Sequence, residues 1–235
     1  MTIKINSKTL SEFVKKVTIG GNITDGILKF GQDGLTLTVK DITKSGAVTG
    51  LLKPSNFVEY GQMEVPIKNM VSLLSILGTM NGTIELSKVE NVFRIGSENN
   101  DADIIMADEK YITCDLVELP TLAHDGGFEL DANIFTTVKK NTQILNTTKI
   151  GVYAEVKDGV FYIRTGEGEF DKLTSKVKVD YKDVKSRYGS TFLEFISVIN
   201  GRVSFSFNQD YPALISSITP DSIIKWMVSP IIEEA

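Results

Sequence analysis

Between Asp115 and Gly127 the chain reads DLVELPTLAHDGG, and the order of elements before this segment returns after it. Pro120 has no backbone N–H and fixes its own φ, which argues against a central sheet strand here. Leu116, Val117, Leu119 and Leu122 are spaced too irregularly for a helix, and Gly126-Gly127 supplies the freedom to turn out of an extended run. The segment is therefore a connector between two like halves.

The first half opens with alternation over Thr2–Asn6, a strand, after which Ser7 is placed to cap a helix. Leu10, Phe13, Val14 and Val17 form its apolar stripe. Strands over 23–30 and 35–39 flank the turn Gln32-Asp33-Gly34, and further strands are expected over 47–52 and 62–65. Pro66 suits the first turn of a second helix with a stripe of Ile67, Met70, Val71, Leu74 and Leu77, ended by Gly78. Strands over 83–86, 92–97, 103–106 and Tyr111–Leu116 lead into the connector.

The second half repeats the order. Phe128–Leu130 is a short strand, and Asp131 caps a helix burying Ile134, Phe135 and Val138. After a strand over 149–156, Lys157-Asp158-Gly159 repeats the earlier turn at an offset of 125, so that Val160–Ile163 answers Leu35–Thr38. Leu173–Val179 is a strand with lysines on alternate positions. Ser190 caps a helix with Phe192, Phe195, Ile196 and Ile199 inward, and strands follow over 203–207, 213–218 and 223–228. Gly82 and Gly201 correspond at an offset of 119, so the second half is shorter in its third quarter. The expected fold is α+β and duplicated: domains 1–116 and 128–235 joined by 117–127, each with two short helices on antiparallel sheet.

Enzymatic constellations come up short. A single cysteine, Cys114, excludes an internal disulfide and a thiolate cluster, and the one histidine, His124, excludes most triads. His124 beside Asp125 has no nucleophile near it, and Gly166-Glu167-Gly168-Glu169 would repel phosphate. Asp101-Ala102-Asp103 lacks the further ligands a Mg²⁺ site needs and reads as a solvated acidic hairpin. No metal or cofactor is expected. No apolar run approaches a membrane span, and the first residues lack the apolar core of a signal peptide, so a reducing cytoplasm is expected.

Charge is more informative. The chain carries −5, spread over both halves, yet its four helical segments hold Lys8, Lys15, Lys16, Lys68, Lys139 and Lys140 against Glu12 and Glu194. Dipole compensation at helix C-termini accounts for the pairs Lys15-Lys16 and Lys139-Lys140. It does not account for the acidity of everything else, which fits a helical layer facing a polyanion.

In this arrangement Met63 to Leu74, Asp33-Gly34-Leu35 with Val39-Lys40-Asp41, and the ending Ile224 to Ile231 resemble the DNA sliding clamps of the proliferating-cell-nuclear-antigen type and the T-even-like phage processivity factors. The resemblance spans essentially the whole chain. It implies three subunits closed head to tail into a ring, helices lining the hole, no enzymatic activity, and a function in tethering DNA polymerase to duplex DNA with the help of a loader. The six lysines would then meet DNA without reading its sequence. Tyr111, Ile112 and Asp115 of one subunit would pair with Leu173, Lys176, Val177 and Lys178 of the next. By the same resemblance a partner peptide would dock against Ile42, Ala47, Leu119, Leu122, Pro212, Met227, Val228 and Pro230. Two other readings stay open: a charge-held monomeric accessory factor of the same fold, and a small-molecule enzyme on a duplicated α+β scaffold.

Overall fold

A computed structural model describes residues 2–41, 43, 45–112, 119–122, 124, 126–145, 151–166 and 173–232. The chain divides into two compact units. Unit 1 holds residues 1–42, 47–119 and Ile218–Ile224, and unit 2 holds Thr43–Gly46, 120–217 and 225–235. Two short pieces are thus exchanged relative to a cut at the connector. The backbone shows why: the Asp221 carbonyl accepts from Lys53 N at 3.0 Å and Asn56 Nδ2 at 2.9 Å, while Ser229 N donates to Ser45 O at 2.8 Å.

Unit 1 runs β1 (Thr2–Asn6), α1 (Ser7–Val17), β2 (Gly26–Gly31), β3 (Gly34–Lys40), β4 (Gly46–Leu52), β5 (Phe57–Glu59), β6 (Met63–Ile67), α2 (Met70–Thr79), β7 (Thr83–Val89), β8 (Val92–Gly96) and β9 (Asp101–Ile105). Its strands pair in the orders β5-β1-β7-β8-β9 and β4-β3-β2-β6, with antiparallel pairing. The core between strands and helices is mainly aliphatic, with Ile5, Leu10, Val14, Leu37, Leu73 and Ile84 fully buried.

Unit 2 runs β10 (Phe128–Asp131), α3 (Asn133–Leu145), β11 (Gly151–Lys157), β12 (Val160–Gly166), β13 (Leu173–Lys178), β14 (Val184–Tyr188), α4 (Thr191–Ile196), β15 (Arg202–Ser206) and β16 (Ala213–Ile218), and the last strand, β17 (Ser222–Val228), belongs to unit 1 up to Ile224 and to unit 2 from Lys225. It repeats the pairings as β13-β12-β11-β14 and β10-β15-β16. No strand between β13 and β14 answers β5, which is where the second half is shorter. Its core is aromatic: Phe128, Phe161, Phe205 and Phe207 meet with ring centroids 5.0–6.5 Å apart.

Several local expectations are corrected. Asn6, not Ser7, caps α1, its Oδ1 accepting from Lys8 N and Thr9 N, while Ser7 Oγ turns inward to the Met80 carbonyl. Pro66 and Ile67 belong to strand β6 and not to a helix. Pro66 is tolerated because β6 is the outer strand of its row, and its carbonyl still accepts from Ala107 N. The helix begins at Met70 under the Asn69 side chain and runs past Gly78 to Thr79. Asp131 does accept from Asn133 N at 2.9 Å, whereas Ser190 makes no side-chain cap to α4.

The two DG turns are also inequivalent. The first hairpin pairs Gly31 with Gly34 and places the positive φ on Gly34 at 126°, outside its two-residue loop. The second pairs Lys157 with Val160, and Asp158 and Gly159 form the loop with φ 51° and 70°. The primed turn shifts the ladder by one, so Phe161 takes the place of Leu35 and the true offset is 126.

Candidate functional site

Lysine placement on the helices follows from which stripe each buries. In α1, Leu10, Phe13, Val14 and Val17 face the core, which leaves Lys8, Glu12 and Lys15 on one exposed strip with Lys16 half-buried beside it. Lys8 Nζ lies 4.0 Å from the Glu12 carboxylate, a pair worth only a few tenths of a kcal/mol, about 0.2–0.5. In α3, Phe135 and Val138 are buried and Lys139 and Lys140 are exposed. These two stand six and five residues before the helix end at Leu145, beyond the last turn over which a dipole acts, so compensation no longer explains them.

Lys68 precedes α2 instead of lying on it. Its ammonium donates to the Tyr111 carbonyl at 2.7 Å and sits 3.6 Å from the Asp25 carboxylate, whose side chain is 4% exposed. With Lys68 removed, α2 carries no charged side chain, and α4 carries only Glu194. The positive charge is therefore on the first helix of each unit, not on all four.

Strand β13 is the outer strand of β13-β12-β11-β14, with Leu173 half-buried and Lys176, Val177 and Lys178 exposed. A groove of about 470 Å³ runs between it and α3, lined by Ile134, Thr137, Thr174 and Val177 among others. The strand expected from Tyr111 does not begin there. Tyr111 closes a single 3₁₀ turn, Glu109–Tyr111, and is 61% exposed, while Ile112 packs into its own unit at 9%. Asp115 and the rest of that stretch lie outside the described residues.

Among the residues expected to receive a peptide, Ala47 and Leu119 fall in unit 1 and Leu122, Pro212, Met227, Val228 and Pro230 in unit 2. Ala47 and Val228 are 2% and 1% exposed and are core side chains, with no surface left for a ligand. Leu119, Leu122, Pro212, Met227 and Pro230 are half-buried. Pro230 forms a bridge to Tyr188, and Ile231 N donates to Arg187 O at 2.8 Å, so this ending is held in extended form along β14. Ile42 lies outside the described residues.

The weak enzymatic candidates acquire structural roles or fall outside the description. Asp103 accepts two hydrogen bonds from Arg94 across β8 and β9, which hold its carboxyl below the usual range. His124 sits edge-on to Tyr211 at 5.4 Å. Cys114, Asp125 and Glu167–Glu169 are not described. Among the described residues no three His, Cys, Asp or Glu side chains cluster as a metal site would require, and no helix is long and apolar enough to cross a membrane.

Sequence reasoning missed one surface. The outward side of β13-β12-β11-β14 gathers Tyr153, Tyr162 and several cations, of which only the lysine alternation in β13 was visible along the chain. A cleft of about 390 Å³ opens beside it, lined by Tyr153, Lys185, Ser186, Arg187, Gln209, Asp210 and Ile231.

No family model and no curated protein matches the sequence. Solved structures match over its whole length. The proliferating cellular nuclear antigen of Entamoeba histolytica shares 16% identity at a TM-score of 0.81, covering 98% of each chain. That of A. fulgidus, solved with the C-terminal region of FEN-1, shares 14% at 0.84, covering 100% of this chain and 99% of its own. That of Thermococcus kodakaraensis shares 16% at 0.79, covering 98% and 99%. This chain has the fold of a DNA sliding clamp. Each of its two compact units carries two helices.

Proposed function

We propose that this protein is a DNA polymerase processivity factor, a clamp subunit that encircles duplex DNA and tethers replication proteins without catalysing a reaction. The observation that carries this is the coincidence of a clamp fold spanning both units with exposed lysines on the first helix of each. In the proposed assembly three copies close head to tail, which gives six similar units, and Lys8, Lys15, Lys16, Lys139 and Lys140 make loose phosphate contacts. The open edge of β13 receives the next subunit, with Lys176 and Lys178 flanking the apolar Leu173 and Val177. Partner peptides dock on the unit 2 surface that carries Leu122, Pro212, Met227 and Pro230, where the thioether of Met227 adapts to different anchors. Lys68 is engaged by Asp25 and supports the fold instead.

The deciding experiment loads the protein on nicked circular DNA and then linearises it. A topological clamp stays on the circle at high salt and slides off the line. Equal release from both forms would leave a monomer held by charge, and a monomeric mass in solution would agree with that outcome.

A further inference from the structure

The outward face of β13-β12-β11-β14 is chemically unlike the rest of an acidic protein. Register fixes its rows: Lys176, Tyr162, Glu155 and Lys185 lie side by side, and next to them Thr174, Arg164, Tyr153 and Arg187. A third row holds Lys178, Val160 and Lys157. Six cations thus share the face with two carboxylates: Glu155, held by Arg164 at 2.6 Å, and at the rim Asp183, which accepts from Asp158 N at 3.0 Å. The two tyrosines stand on the two central strands, both half-exposed. Arg164 lies 5.1 Å from the Tyr162 ring centre, and Arg187 and Lys185 lie 5.3 and 5.9 Å from that of Tyr153. The opposite face packs on α3 through Phe161 and Ile163, so the tyrosines carry no core.

We propose that this face binds single-stranded nucleic acid, with bases stacked on Tyr153 and Tyr162 and phosphates held by the flanking lysines and arginines. A four-stranded antiparallel sheet backed by a helix, with aromatic rings on its central strands, is a general solution for stacking unpaired bases. Cation–π contact accounts for Arg164 and Arg187, but Lys157, Lys176 and Lys178 have no ring to cover and extend the charge across the face. Duplex DNA keeps its bases inside, out of reach of a ring on a sheet, so the tyrosines favour a single strand. An acidic peptide would use the charge and leave the rings idle. The adjoining cleft adds Gln209 and Asp210, groups that can meet the edge of a base displaced from the stack. The proposed subunit contact uses the backbone edge of β13 and the inference its outward face, so Lys176 and Lys178 border both while Tyr153, Tyr162, Lys157 and Lys185 belong to the face alone.

The test is fluorescence anisotropy of the intact chain with three probes of about 12 units: an oligothymidylate, the same backbone lacking bases, and polyglutamate. The oligothymidylate should bind about tenfold tighter than the baseless strand or better, and polyglutamate weakest. Replacing Tyr153 and Tyr162 by alanine should erase the first difference, while phenylalanine at both keeps it. Lys157→Glu with Lys185→Glu should weaken both strands, and glutamate at Lys15, Lys16, Lys139 and Lys140 should leave the tenfold difference between the two strands intact. Equal binding of the two strands by the unmodified protein overturns the proposal without any variant having to fold. So does polyglutamate binding as tightly as oligothymidylate, which would assign the face to an acidic protein. Loss of binding in the helix variant alone would move the strand to α1 and α3.

Discussion

The β4-β3-β2-β6 sheet of unit 1 and the β13-β12-β11-β14 sheet of unit 2 share connectivity and pairing, and their buried sides follow one alternation. Leu28, Leu35, Leu37 and Val39 in the first stand where Ala154, Phe161, Ile163 and Thr165 stand in the second, all buried. Their outward sides differ at nearly every position. Ile27, Lys29, Thr36 and Thr38 are replaced by Tyr153, Glu155, Tyr162 and Arg164, and Leu51, Glu64 and Pro66 by Lys176, Lys185 and Arg187. Unit 1 spends its outward groups on local pairs, Lys29 with Glu64 at 3.7 Å and Thr38 with Thr49 at 2.9 Å. Packing dictates the inner face in both units. The outer face answers to solvent and partners, and there the two copies have taken different chemistry.

The buried halves of the comparison break hardest. Phe161 is fully buried against Phe128, Phe205 and Phe207, so Phe161→Ala should cost about 3–5 kcal/mol. Its aliphatic counterpart removes fewer atoms and should lose less, with Leu35→Ala in the range of about 2–5 kcal/mol. Urea denaturation of both variants measures this. A larger loss at Leu35 would mean that the aromatic cluster relaxes around its cavity.

Much of this architecture was legible along the chain, because strand alternation and helix stripes are local signals. The stripe Leu10, Phe13, Val14 and Val17 and the hairpins at residues 31–34 and 157–160 needed no tertiary information. What escaped was settled by groups far apart in sequence. Pro66 reads as a helix start until β2 pairs with it, and Ser7 reads as a cap until the Met80 carbonyl claims its hydroxyl. The offset of 125 follows the letters of the DG turns, whereas their φ values set 126. The lysines of α1 and α3 could be read from helix periodicity. The basic outward sheet could not, because its residues come from four strands between Tyr153 and Lys178 and on to Arg187, and only pairing brings them together.

A sharper contrast lies at Gly50 and Ser175, equivalent positions on β4 and β13 opposite Leu37 and Ile163. A Cβ on Gly50 would come within 2.4 Å of Val17 and 2.8 Å of Phe13, the side chains by which α1 packs on the sheet. Gly50→Ala should therefore cost about 1–3 kcal/mol. Ser175 has room for its side chain, and its buried hydroxyl has no hydrogen-bond partner, so Ser175→Ala should be neutral or slightly stabilising. Paired thermal melts decide the point, and equal losses would show that β13 grips α3 as closely as β4 grips α1.

The helix starts give a smaller difference. Asn6 satisfies two amide groups of α1, so Asn6→Ala should cost about 1 kcal/mol. Ser190 caps nothing by its side chain, and Ser190→Ala should leave the melting temperature unchanged. A matching loss at Ser190 would indicate a cap formed in solution.

The smallest effect concerns an outward pair on the other sheet of unit 1, where Arg94 faces Asp103 and the equivalent of Arg94 in unit 2 is Leu214. The bidentate hydrogen bond from Arg94, aided by its charge, depresses the Asp103 carboxyl below its ordinary value of 3.8. A depressed acid contributes stability that is present above the ordinary value and lost as pH falls through the folded one. Both side chains are about half exposed, so solvent screens the pair and the contribution at neutral pH is slight. Arg94→Leu, which copies unit 2, should return the Asp103 titration followed by NMR to its ordinary value. Any stability difference from the unmodified protein should vanish once the solution is more acidic than the folded carboxyl. A difference that persisted there would belong to the packing of the arginine stem along β8, not to its charge.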